Sequence, residues 1–156
     1  MREVILYWGL AGWVLRCSSL IKMDELEREV KAHKHTLNGY RTNLRPKEEY
    51  VYYGTRPYLK PKNRLLSNTL KGGRALELCR QMLGDGVTEV CLNKNVVAGK
   101  HRDRGNTGHS RIAFFGDYTT GGDLHVEDGR TFDGMDKGVW HGPFDGRALE
   151  HYNTPH

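Results

Sequence analysis

Residues 110–133 read SRIAFFGDYTTGGDLHVEDGRTFD, and the fold class turns on whether this is one long element or several short ones. Gly116, the Gly121–Gly122 pair and Gly129 break it into runs, SRIAFFG, DLHVE and RTFD, that are too short for helices. These runs are rich in β-branched and aromatic residues and bounded by turn formers, the pattern of strands. Glycine tolerates positive φ, so a sheet can turn tightly at each break. The same grammar extends outward to VTEVCLN at 87–93 and GVW at 138–140, and thirteen of the 19 glycines lie from Gly84 onward. Short strands at regular turn signals predict a sandwich or jelly roll for the second half of the chain.

Upstream the character is different. GRALELCRQML, residues 73–83, places Ala75, Leu78, Cys79 and Met82 on one helical face and Arg74, Glu77, Arg80 and Gln81 largely on the other, with Gly84 as the stop. Asp24 with Glu27 three residues on resembles a capping box, and Leu26, Val30 and the Glu27/Lys31 pair continue a mostly polar helix to about His35. From Thr36 to Pro61, Asn-Gly, Arg-Pro and Lys-Pro steps predict loops, with one short strand around Tyr50 to Tyr53. At 156 residues the chain suits one domain. The expected fold is α+β, mainly β, with residues 1–72 as a basic, helical N-terminal extension and 73–156 as the jelly-roll core.

The opening VILYWGLAGWVL, residues 4–15, is shorter than the roughly 20 apolar residues that span a bilayer. It has the length of a signal-peptide core, with Ser18 and Ser19 behind it, but Glu3 and Arg16 sit where that pattern wants otherwise. A buried N-terminal strand or helix is preferred, with no membrane partner. Cys17, Cys79 and Cys91 are odd in number and lack C-x-x-C spacing, which argues against a disulfide framework or a zinc knuckle. A reducing, intracellular compartment is the simplest expectation.

From Arg28 to Arg74 there are twelve Lys/Arg against three Asp/Glu, interleaved with Tyr40, Tyr50, Tyr52, Tyr53 and Tyr58. Cations neutralise phosphates and rings stack on bases, so the segment suits a nucleic-acid surface, or equally a solvated basic face with tyrosines packed inward.

His101 and Asp103, in GKHRDRGNTGHS at 99–110, raise the question of chemistry. In an extended chain residues i and i+2 project together while Arg102 turns away, so H-x-D is a two-toothed clamp for a metal. Short motifs of this kind arise readily by chance, and a third ligand is needed. His109 is too near in sequence. His125 forms a rival H-x-E pair with Glu127. His141, His151 and His156 remain; His151 sits about fifty residues after the pair, beyond FDGRALEH, where a late strand could return it beside the first two.

NKN at 93–95, HRDRGNTGHS at 101–110, FFGDYTTGGDLHVE at 114–127 and FDGRALEHYNTP at 144–155 together resemble the iron(II)/2-oxoglutarate-dependent dioxygenase superfamily. Within it they are most similar to the J-binding and TET-type base-oxidising branch. The resemblance covers roughly Val90 to Pro155. It implies a double-stranded β-helix, Fe(II) held by His101, Asp103 and His151, and 2-oxoglutarate and dioxygen as co-substrates. It also implies hydroxylation of a substrate, and together with the basic Arg28 to Arg74 segment it favours a nucleic-acid base or a protein associated with nucleic acid, with a protein side chain or a small metabolite left open. Asn93 and Asn95 are then expected to face the co-substrate or steady the loop before His101, the alternative being strand-end turn formers. Asn106 and Ser110 are expected to orient a ligand or hold the turn.

One departure stands out. The superfamily grips the far carboxylate of 2-oxoglutarate with a base on a last core strand, in a G-x-R-Y-like motif about ten residues past the distal histidine. His156 follows His151 by five residues, so this motif and its strand are missing here. Weakened co-substrate binding and an unpaired sheet edge are the expected consequences, whether the sequence is a fragment or Arg111 substitutes. The alternatives from other classes are a catalytically silent jelly-roll binding module and a zinc or manganese isomerase with the same ligands.

Overall fold

The structure, a computed structural model, describes residues 2–9, 16–32, 49–54, 73–106 and 108–156. Their order is β1 (Arg2–Gly9), α1 (Arg16–Ala32), β2 (Glu49–Gly54), α2 (Arg74–Leu83), β3 (Val87–Lys94), β4 (Ser110–Gly116), β5 (Leu124–Val126), β6 (Thr131–Phe132), β7 (His141–Phe144) and β8 (His151–Asn153). The architecture is mixed, with two helices among the described residues and antiparallel strands in two small sheets. The larger has the order β2-β3-β1-β4-β7 and the smaller β6-β5-β8.

Helix α2 follows its periodicity. Ala75, Leu76, Leu78, Cys79, Met82 and Leu83 are buried, and Gly84 ends it at φ +101° while its N–H donates to the Arg80 carbonyl at 2.8 Å. Helix α1 begins at Arg16 rather than at Asp24, which sits exposed in mid-helix. No proline or glycine interrupts RCSSLIKM, so nothing in that run stops the helix from extending upstream. Met23, Leu26 and Val30, spaced three and four apart, are its buried stripe. Residues 33–35, where the helix was expected to end, lie outside the described residues. So do most of the loops read over 36–61 and most of the basic, tyrosine-rich segment.

The N-terminal run is a strand, and it is the middle one of the larger sheet. β1 pairs with β3 from Glu3↔Lys94 to Trp8↔Glu89 and with β4 from Arg2↔Gly116 to Trp8↔Ser110. β1 thus supplies backbone partners to both β3 and β4. β2, the strand expected around Tyr50–Tyr53, pairs with the other side of β3. Two members of this sheet thus come from residues 1–72, and a strand precedes the helices. GVW at 138–140 is not a strand; the pairing segment is the next one, β7.

Alternation along β4 sorts the core into two clusters. Ala113 and Phe115 join Val90, Leu92 and the buried faces of α1 and α2 on one side of the sheet. Ile112 and Phe114 join Leu124, Val126 and Phe144 on the other, between the two sheets. Arg111, by the same alternation, shares the helix-packed side with Ala113 and Phe115. Cys79 and Cys91 are buried, and burial pushes the Cys79 thiol far above its ordinary value. No described helix is long and apolar enough to cross a membrane.

Candidate metal centre

The two histidines are brought together by backbone pairing. His101 and His151 exchange both N–H···O=C bonds at 3.0 Å, an isolated antiparallel bridge that extends the smaller sheet beyond β8. Directly opposed residues project to one face, and the ring centroids lie 4.4 Å apart. Asn153 braces the same junction: its Oδ1 accepts from the Ala98 N–H at 2.7 Å and its Nδ2 donates to the Val96 carbonyl at 3.0 Å. Asp103 is set by its own N–H, which donates to the Gly146 carbonyl at 2.7 Å.

Tautomer follows from the outer nitrogens. His101 Nδ1 is 2.7 Å from the Gly99 carbonyl and His151 Nδ1 is 3.0 Å from the Leu149 carbonyl. A carbonyl only accepts, so each Nδ1 carries hydrogen, and in the neutral ring each Nε2 presents a lone pair. Both lone pairs face one carboxylate. His151 Nε2 is 3.0 Å from Asp103 Oδ2, and His101 Nε2 is 3.5 Å from Asp103 Oδ1. Despite that approach, His151 Nε2 and Asp103 Oδ2 are both buried without a hydrogen-bond partner. Orphaned buried acceptors cost free energy unless a cation or proton lies among them. Burial pushes the Asp103 carboxyl up, but hydrogen bonds and charge from the His101 and His151 rings, when Nε2 carries a proton, more than reverse this and hold it below its ordinary value.

The donor set fits a metal. His101, Asp103 and His151 each offer one ligand atom, all within 4.8 Å of one another. Two imidazole nitrogens with one carboxylate suit a first-row transition metal with open positions; calcium and magnesium prefer oxygen, and structural zinc takes four ligands. The His151 side chain is only 1% exposed, Asp103 10% and His101 20%. The approach is therefore from the His101 side, where an open depression of about 570 Å³ is lined by His101, Arg102, Arg104, Arg147 and Glu150.

The rival pair is elsewhere. In the β5–β8 register His125 opposes Tyr152 while Val126 opposes His151, so His125 points away from the centre. Its ring stacks on Tyr152 at 4.9 Å and meets Thr131 Oγ1 at 3.1 Å. Glu127 is bound by Arg102 at 2.8 Å and by the Glu150 N–H at 2.8 Å. His109 is exposed, His141 Nε2 is 2.8 Å from the Asp136 carbonyl, and His156 packs on Tyr118. Asn93 is buried on β3, its Oδ1 3.4 Å from the Cys91 thiol, whereas Asn95 is exposed at φ +56° and forms the strand-end turn. Asn106 donates to Ser110 Oγ at 2.9 Å, and its own N–H reaches back to the Asp103 carbonyl at 3.0 Å, which holds the turn.

Two contributors escaped the sequence. A Cβ built on Gly146 would stand 2.8 Å from Asp103 Oδ2 and 3.4 Å from His151 Cε1, so this glycine makes room for the carboxylate. Its Asp-Gly context signals only a turn. Arg102 turns away from the centre as expected, but onto Glu127 and the Ala148 carbonyl at 3.1 Å, fastening the H-x-D segment to the approach to His151. Comparison with protein families, curated proteins and solved structures finds no match to this chain.

Proposed function

We propose that this chain is a mononuclear non-haem iron(II), 2-oxoglutarate-dependent oxygenase that hydroxylates its substrate, with its two sheets as the facing halves of a double-stranded β-helix. The observation that carries this is the convergence of the His101 and His151 Nε2 atoms on one buried carboxylate, with His151 Nε2 and Asp103 Oδ2 left without a hydrogen-bond partner. When bound, iron with 2-oxoglutarate supplies dioxygen chemistry that couples decarboxylation of the co-substrate to hydroxylation of a second molecule. His101, Asp103 and His151 would hold the metal. The Gly99 and Leu149 carbonyls fix both rings by accepting from Nδ1, which also raises their basicity toward a cation. Phe144, fully buried with its ring 5.3 Å from that of His151, keeps water from that flank.

A nucleic-acid base is the substrate class proposed, from the motif resemblance and the charge of residues 28–74. A reducing compartment is the proposed setting. Substituting His101→Ala, Asp103→Ala or His151→Ala should abolish calorimetric Mn(II) binding and succinate release from 2-oxoglutarate. Succinate release at the wild-type rate in any of the three would remove the assignment. Tight metal binding by the wild type with no 2-oxoglutarate binding would instead favour a silent binding module.

A further inference from the structure

The depression beside His101 carries cations that the fold itself does not use. Arg102 is committed to Glu127 and the Ala148 carbonyl. The Arg104 and Arg147 side chains, both exposed, have no ion pair or hydrogen bond among the described residues. Glu150 is the single acid lining the depression, and it is drawn toward Arg102, 4.0 Å away. The backbone that carries the two arginines is tied together. Arg104 follows Asp103 and Arg147 follows Gly146, and the 2.7 Å bond from the Asp103 N–H to the Gly146 carbonyl locks the two segments side by side.

Two unpaired guanidiniums lining one depression leave it electropositive, and an anion held there uses their planar donors. An open depression of about 570 Å³ with both cations on its exposed rim suits an anion attached to something larger than the cavity. A small dicarboxylate gripped in a closed pocket would not need such a mouth. We propose that Arg104 and Arg147 form a phosphate-binding rim that docks a phosphate-bearing substrate against the His101 side of the metal centre. The location relative to a metal rests on the reading above; the rim itself does not.

The test uses the full chain with Mn(II) and follows the anisotropy of a fluorescein-labelled single-stranded oligonucleotide, with a nucleoside monophosphate as competitor. The Arg104→Gln/Arg147→Gln double variant should bind the oligonucleotide at least about 10-fold more weakly. Its slope of log affinity against log salt should be shallower by about 1.4, two phosphate contacts at roughly 0.7 each. Mn(II) affinity should not change. A charge-matched control, Lys22→Gln/Arg80→Gln on α1 and α2 across the larger sheet, should bind as the wild type does.

If the monophosphate competes as well as the oligonucleotide, the phosphate comes from a small molecule; if it competes poorly, from a strand. Both outcomes keep the rim. A wild type that binds neither probe overturns it. So does a double variant that binds normally, a control that loses as much, or a loss confined to 2-oxoglutarate affinity. Oligonucleotide binding that depends on the pair in a protein unable to bind Mn(II) keeps the rim and removes the metal reading.

Discussion

Gly146 shows how little space the centre allows. A methyl group there would press on Asp103 Oδ2 at 2.8 Å and on Asn106 Nδ2 at 3.2 Å, and the Asn106–Ser110 bond gives that side little room to yield. Gly146→Ala should therefore lower Mn(II) affinity by about 10–100-fold, the range for disturbed supports of a metal ligand, while calorimetric melting shifts only slightly. Unchanged affinity would show that the carboxylate is not constrained by this contact. Asp103 also has a pH signature. Its folded pKa is depressed, so its stabilisation is complete above the unfolded carboxylate value of about 3.9 and is lost as pH falls through the lower folded value. The metal-free protein should lose this contribution only in acid below about pH 4, and Asp103→Asn should flatten that limb of an acid-unfolding curve. At this scale the sequence exposes only part of the site. Two residues at i and i+2 declare a shared face, but the bridge from His101 to His151 spans fifty residues and no local pattern encodes it. A glycine needed for the absence of a methyl group looks like any turn glycine.

Among the elements, legibility follows locality. α2 was plain in the sequence because 3.6-residue periodicity and Gly84 are local signals, and β3 and β4 because their apolar runs end at turn formers. β7 was not, since HGPF carries two residues that read as strand breakers. Pro143 falls on a strand at the edge of the sheet among the described residues, beside an irregularity in its pairing with β4, the setting in which a sheet accommodates proline. The central position of β1 was equally hidden, because long-range pairing leaves no mark on either partner alone. β8 is the element on which the site depends, and Asn153 is its brace. Asn153→Ala would leave the buried Ala98 N–H without the acceptor it meets at 2.7 Å. The expected cost is about 1–3 kcal/mol, read from urea denaturation, accompanied by weaker Mn(II) binding because residues 96–101 lose their register against β8. A loss of stability with metal affinity intact would mean that the His101–His151 bridge holds without the brace.

For the whole molecule, the larger sheet is a partition. On one side α1 and α2 close a cluster that includes Leu78; on the other, Phe144 belongs to a cluster that continues into the ring of His151. Close packing transmits strain between neighbours, but a hydrogen-bonded sheet between two clusters gives a cavity on one side few contacts through which to act on the other. Leu78→Ala and Phe144→Ala remove fully buried side chains, and each should cost about 2–5 kcal/mol. Their effects on the centre should diverge. Measured at a temperature where both variants remain folded, Leu78→Ala should keep Mn(II) affinity within about two-fold of the wild type, because additivity holds for sites that share no partners. Phe144→Ala removes the ring packed edge-on to His151 and opens that flank to water, so its metal affinity should fall with its stability. Equal losses of affinity in the two variants would mean that the partition leaks and that the centre reports on the stability of the whole fold rather than on its own side of the sheet.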